Sequence, residues 1–203
     1  ISGTLVDSGH PYSSAVTDTY GHGTHVASVL LSADTYNTVL NGVPLGVAPM
    51  ATLISVKAFD NNGAGTYANV INGLNWILVN KSTYGNIRVV NLSFGARPQS
   101  FYWNDPIDKA VMKLWQAGIV VVASAGNGGP TAQSISVPGN TPYVITVGAM
   151  TDNYTPGDTS DDGIASFSST GPTYEGFVKP DVIAPVGHLA CKMYPASQSL
   201  AAA

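Results

Sequence analysis

The chain has 203 residues, 44% of them apolar and 10% charged, with a formal net charge of −4. That length suits one domain with a core of its own. So few charges, and no basic run, exclude a disordered chain and a nucleic-acid partner. No apolar run reaches the roughly 20 residues that cross a bilayer.

The chain opens on Ile1-Ser2-Gly3-Thr4-Leu5-Val6, which reads as a strand already under way. From His22 to about Leu31 the spacing of Val26, Val29 and Leu30 predicts a helix with one buried face. Residues 52–58 (TLISVKA) form a strand candidate. Thr66 can cap a helix whose inner face carries Val70, Leu74 and Ile77 or Leu78. Residues 87–93 (IRVVNLS) are β-branched and read as a second strand. Asp105-Pro106 then starts a helix, with Gly118 just past its end. Ile107, Val111, Leu114 and Trp115 are expected on its inner side. Residues 119–123 (IVVVA) are nearly all apolar, which predicts a strand buried on both faces. Residues 143–149 (YVITVGA) are another strand.

Strands alternating with helices predict an α/β fold, a mostly parallel sheet covered by helices. No repeat or linker interrupts the pattern, so residues 1–203 are read as part of a single domain. Functional groups in such folds gather at the carboxyl ends of strands. The 22 glycines and 13 prolines specify many turns, as expected where loops carry the site.

Gly21-His22-Gly23-Thr24-His25-Val26-Ala27-Ser28 is the most informative stretch. A histidine at the mouth of a helix, between two glycines, can serve as a general base at a cleft. The plainer alternative is a capping or core histidine. A zinc pair with His25 lacks the HExxH pattern and a third ligand. Asn127, in Ala123-Ser124-Ala125-Gly126-Asn127-Gly128-Gly129-Pro130, offers a carboxamide donor after a strand, suited to an oxyanion. An ordinary Asn-Gly turn is the alternative. Ser93-Phe94-Gly95 and Gly63-Ala64-Gly65 put small residues at strand ends, where an extended peptide could pair with the backbone. The alternative is ordinary loop glycine. Cys191 stands alone, without the partners of a disulfide, a metal site or a nucleophile.

Taken in order, GHGTHVAS, GVAPMATLISVKAF, VVNLSFG, VVVASAGNGG, SVPGNTPYVITVGA, ASFSSTGP and KPDVIAP resemble the subtilisin-like serine peptidases, the subtilases. The resemblance runs from about His22 to Pro185. It implies a three-layer α/β/α fold, incomplete here at one or both ends, and peptide hydrolysis through a Ser–His–Asp triad. By it, His22 is the general base and Asn127 the oxyanion donor. Ser93, Phe94 and Gly95, facing Gly63, Ala64 and Gly65, are the edges that clamp an extended peptide or protein substrate. Ser124, Ala125 and Gly126, with Asn127, wall the pocket for the residue before the scissile bond. Family members are commonly secreted and made as zymogens with a propeptide. They need no cofactor for catalysis, and many hold structural calcium. The family's calcium sites vary, so the resemblance leaves a structural calcium open without fixing its site. The acidic residues 158–163 (DTSDDG) read first as a solvated loop, with calcium as the alternative.

The match also fails in places. The family's nucleophile lies in a Gly-Thr-Ser-Met-Ala block beyond the Lys-Pro-Asp segment. Ser197 and Ser199 have other surroundings, so neither is nominated. Asp7-Ser8-Gly9 has the letters of the family's aspartate block but stands only fifteen positions before His22, where the family places a longer stretch. The chain lacks an initiator Met and a signal peptide, and reads as an internal piece whose sheet should leave apolar surface uncovered. Residues 32–42 lack the glycine usual after the histidine helix, and Pro185-Val186-Gly187 carries an extra Val. The alternative to a peptidase is a subtilase-like module that binds extended peptides without cutting them.

Overall fold

The structure is a computed structural model that describes residues 3–7, 18–32, 46–155 and 157–186, the first of these by backbone alone. Cys191, Ser197, Ser199, Ser8, Gly9, Gly187 and nearly all of the loop at 32–42 lie outside the described residues. The chain divides into two compact units, one up to Gly73 and one from Leu74, each described by itself.

In the first unit, strand β1 (Gly3–Asp7) pairs in parallel with β2 (Leu53–Lys57), with Asp7 opposite Lys57. Between them in sequence lies helix α1 (His22–Leu31). Its buried residues are Ser28 and Leu31, whereas Val26, Val29 and Leu30 are half-buried. The inner face is therefore rotated from the expected one. Helix α2 (Tyr67–Val79), inside which the division between the units falls, begins after Thr66, whose hydroxyl accepts from the Asn69 N–H at 3.2 Å, as a capping residue should. Val70, Leu74 and Ile77 are buried, as their spacing predicts.

The second unit is built on a five-stranded sheet. β3 (Val89–Leu92), β4 (Val120–Ser124) and β5 (Ile145–Thr151) pair in parallel, β6 (Gly163–Ile164) joins β5 antiparallel, and β7 (Val182–Pro185) pairs with β5 in parallel. This is the expected mostly parallel α/β arrangement, with an open sheet. Helix α3 (Pro106–Gln116) packs on β4. Its start follows from sequence: Pro106 has no N–H to strand. The buried Asp105 carboxylate accepts from the N–H groups of Ile107 and Asp108 at 2.8 and 3.2 Å. Its end follows too. Gly118 adopts φ +77°, and the Ile119 N–H reaches back to the Leu114 carbonyl at 3.0 Å. Ile107, Val111 and Leu114 are buried against the sheet. Trp115 is not. It lies half-exposed, 4.9 Å from the Tyr143 ring, one position too far round the helix to reach the core.

β4 corrects another expectation. Val121 and Ala123 are buried, but Val120 is 45% exposed. Val120 sits opposite Val89, Val122 opposite Ile145, and Val147 opposite Val182. Val89, Ile145 and Val182 are also exposed, at 60%, 43% and 51%. One face of the sheet thus meets α3 and the other presents a row of apolar side chains. Composition alone could not separate a strand buried on both faces from one whose second face is left uncovered.

The Lys179-Pro180-Asp181 segment fixes β7 in place. The buried Lys179 ammonium donates to the Val144 carbonyl at 2.8 Å and to Asp181 Oδ2 at 2.6 Å. The same Asp181 oxygen accepts from the Thr146 N–H at 2.7 Å. One ion pair therefore ties the entries of β5 and β7 together, a packing role for this motif. Partial burial works to raise the Asp181 pKa, but the Lys179 ammonium and the Thr146 N–H outweigh it and hold it below the ordinary carboxylate range.

Candidate functional site

His22 is the first residue of α1 and is exposed. Gly21 before it takes φ +93°, a conformation glycine adopts freely. The turn into the helix is held by a residue that sequence reasoning passed over. The Asp18 carboxylate accepts from the Gly21 N–H at 2.8 Å, the Thr24 N–H at 2.7 Å and the Thr24 hydroxyl at 2.8 Å. It satisfies orphan donors of the first turn and sets its negative charge at the positive end of the helix. An acidic residue just ahead of a helix start was the available signal. Partial burial works to raise the Asp18 pKa. The bonds from Gly21 and Thr24, with the Lys57 ammonium, prevail and hold it below the usual value of 3.8. A depressed carboxylate stabilises the fold above its unfolded pKa, and that contribution fades as pH falls through the folded pKa. Asp18→Ala is therefore expected to cost about 1–2 kcal/mol at neutral pH, and less below pH 3.8, in urea unfolding followed at both pH values.

Tyr20 joins the histidine block to the turn at 63–65. A Cβ on Gly63, at φ +74°, would lie 2.6 Å from the Tyr20 ring. Asp60 organises that turn. Its carboxylate accepts from the N–H groups of Asn62 and Ala64 at 2.8 and 2.9 Å, and its own N–H donates to the Ala64 carbonyl at 2.8 Å. Those bonds from Ala64 and Asn62 hold Asp60 below the ordinary carboxylate range. Ala64 thus already spends its N–H within the turn, while Ala64 and Gly65 stay exposed. Asp7 ends β1 opposite Lys57 in the same unit.

In the second unit the structure brings Ser93, Phe94 and Gly95 beside Ser124, Ala125, Gly126 and Asn127. The Ser124 hydroxyl donates to the Phe94 carbonyl at 3.2 Å. Ala96 then pairs with Val137 through reciprocal N–H···O bonds of 3.1 and 2.9 Å. Ser136 fills the space under both glycines. A Cβ on Gly95 or Gly126 would meet the Ser136 Oγ at 2.4 or 2.7 Å. The Ser136 N–H and hydroxyl both donate to the Ala125 carbonyl, at 2.9 and 3.1 Å. Asn127 itself is exposed, just beyond the carboxyl end of β4. A carboxamide there can donate to an oxygen that gains charge in front of it. Gly126→Ala is expected to destabilise by roughly 2 kcal/mol or more, since φ is +104° and two serine hydroxyls lie within 3 Å of the added methyl. Chemical denaturation of the variant reads this directly.

A family description, the subtilase family, matches residues 6–202. The chain belongs to the subtilase family. It is 43% identical to serine protease AprX of Bacillus subtilis (strain 168) over 83% of this chain and 38% of that protein. It is 35% identical to subtilisin DY of Bacillus licheniformis over 86% of this chain and 56% of that one. The chain thus spans between about two fifths and three fifths of these relatives. Among solved structures, sphericase superposes with a TM-score of 0.74 at 24% identity, over 95% of this chain and 63% of that chain. A cold-adapted subtilisin-like serine proteinase gives 0.71 at 27%, over 96% and 59%.

Subtilases carry out hydrolysis with side chains and backbone alone, so the question of an ion here is structural. The acidic loop at 158–163 turns its carboxylates on itself. Asp158 accepts from the Ser160 N–H at 2.9 Å, and Asp161 from the Thr155 hydroxyl at 2.8 Å. Among the described residues no three His, Cys, Asp or Glu side chains converge as metal ligands, His22 and His25 included. Among the described residues no helix is long and apolar enough to cross a membrane.

Proposed function

We propose that this chain supplies the general base and the oxyanion donor of a serine endopeptidase that cuts extended peptides. His22 takes the proton from a serine hydroxyl and returns it to the leaving amine. The Asn127 carboxamide donates to the oxyanion of the tetrahedral intermediate. By family resemblance, Ser93, Phe94 and Gly95 form one peptide-pairing edge and Gly63, Ala64 and Gly65 the other, where Gly65 offers its backbone because the Ala64 N–H and carbonyl are bonded to Asp60. Ser124 and Gly126 wall the pocket for the residue before the cut, with Ala125 buried behind them. The observation that carries this reading is Asn127. It stands exposed beyond β4 on a loop whose neighbours are pinned by buried serines. A turn made only for its own sake has no need of that bracing.

No serine of this chain is assigned the nucleophile's role, and Asp7 carries the letters of the aspartate block without its spacing. The chain is then a partial peptidase domain and does not turn over peptides alone. The uncovered apolar face at Val89, Val120, Ile145 and Val182 supports that reading. Secretion and a propeptide accompany it by family resemblance. The test is hydrolysis of a chromogenic peptide by the full protein that carries this chain. Activity is expected, blocked by a serine-directed sulfonyl fluoride, and Asn127→Ala is expected to lower kcat about 10²- to 10³-fold with KM nearly unchanged. Resistance to the reagent would refute the serine mechanism. Tight peptide binding with no cleavage at all would favour the non-cutting module instead.

A further inference from the structure

We propose that Ser169 is a positioning residue that fixes the point from which the Asn127 carboxamide donates, by clamping the loop on both sides of it. The inference rests on reading Asn127 as the oxyanion donor. Ser169 lies in Ser168-Ser169-Thr170-Gly171, far from Asn127 in sequence, and is 1% exposed. Its N–H donates to the Gly126 carbonyl at 3.0 Å, and its hydroxyl accepts from the Gly128 N–H at 2.9 Å. The two residues held are the immediate neighbours of Asn127. No group among the described residues hydrogen-bonds the Asn127 carboxamide, so its reach is set by where the backbone places its Cα and Cβ.

That backbone has little stiffness of its own. Asn127 stands between two glycines, the residues that lose most conformational freedom on ordering. Outward from the clamp, the Gly129 N–H donates to the Phe167 carbonyl at 3.0 Å. A Cβ on Gly129 would lie 1.9 Å from the Ser168 carbonyl oxygen, so that backbone contact is closed to any other residue. Ser168 is in turn fixed, its hydroxyl accepting from the Ala149 N–H at 3.0 Å in β5. The clamp is therefore anchored in the sheet. A donor aimed at a developing charge needs such anchoring, because a misplacement of about 1 Å can cost on the order of 100-fold in rate.

The experiment is a cycle on the full protein with Ser169→Ala, Asn127→Ala and the pair, read as kcat and KM on one peptide substrate. Ser169→Ala is expected to lower kcat about 10- to 100-fold with KM within about twofold. It is expected to cost nothing more once Asn127 is already alanine. Ser169→Cys, which keeps the size and a weak acceptor, is expected to fall between, and stands in if the alanine variant does not fold. Amide hydrogen exchange over 125–129 is expected to quicken in either variant. An undiminished kcat, or the full loss recurring in the Asn127→Ala background, would overturn the clamp. If Asn127→Ala alone leaves kcat unchanged, the oxyanion reading falls first, and the clamp with it.

Discussion

Replacing His22 with alanine is expected to abolish peptide hydrolysis by the full protein, with kcat falling on the order of 10⁴-fold or more. The size of the loss follows from the role. Without a base the serine hydroxyl keeps its proton, and what survives is the contribution of the oxyanion donor and of binding. KM is expected to move little, because the histidine acts on the proton in flight and not on the peptide as it docks. The fold is expected to stay intact. His22 is exposed, and the start of α1 is capped by Asp18 and not by the imidazole. A loss of activity with a matching loss of melting temperature would instead make His22 a structural residue. Steady-state kinetics and a thermal melt on the same preparation separate the two.

Asp108→Asn is expected to stabilise the protein at neutral and alkaline pH. Asp108 sits in the first turn of α3, where the helix dipole favours negative charge. It is nevertheless fully buried. Desolvation is the main force that raises its pKa to about 7, with Asp105 and Glu175 adding repulsion. The Thr141 hydroxyl and the Asn140 amide donate to it at 2.8 and 3.1 Å and only partly offset this. A carboxyl whose folded pKa lies above its unfolded value of 3.8 is stabilising below pH 3.8. That contribution is lost as pH rises toward 7. The loss at full ionisation is on the order of 4 kcal/mol at most, at about 1.4 kcal/mol per pKa unit. Asparagine offers the neutral acid's shape without the charge, its NH2 group donating to the otherwise unpartnered Asn140 Oδ1 once that amide turns over. The variant is expected to match the parent near pH 4, to exceed it by up to a few kcal/mol at pH 8, and to lose the slope between. Urea unfolding across that range is the check. Equal destabilisation at every pH would mean that the carboxylate is ionised and well paired.

Much of this was legible in the chain. Asp105-Pro106 and Gly118 marked both ends of α3 because caps act within a few residues. The β-branched runs marked β2 to β5 for the same local reason. β6 and β7 were not foreseen. Gly163–Ile164 is too short to show a period, and Val182–Pro185 ends on a proline that argues against a strand. The exposed face at Val120 goes against reading 119–123 as buried on both faces, although uncovered apolar surface was itself expected of a partial sheet, because a run of valines says nothing of what lies across from it. The site divides in the same way. His22 and Asn127 stand in local motifs that can be read by eye. Asp18, Ser136 and Ser169 were missed. Asp18 carries a local signal that the histidine block overshadowed. Ser136 and Ser169 reach the Asn127 loop only through the fold, across 11 and 41 positions from their partners.

The most direct test of the account is covalent labelling of the full protein with a fluorophosphonate, which reacts only with a serine activated by a base. The account predicts one modified serine in the parent, found by peptide mapping, and no labelling at the same dose in His22→Ala. Equal labelling of both proteins would contradict it, since the activating base would then lie elsewhere.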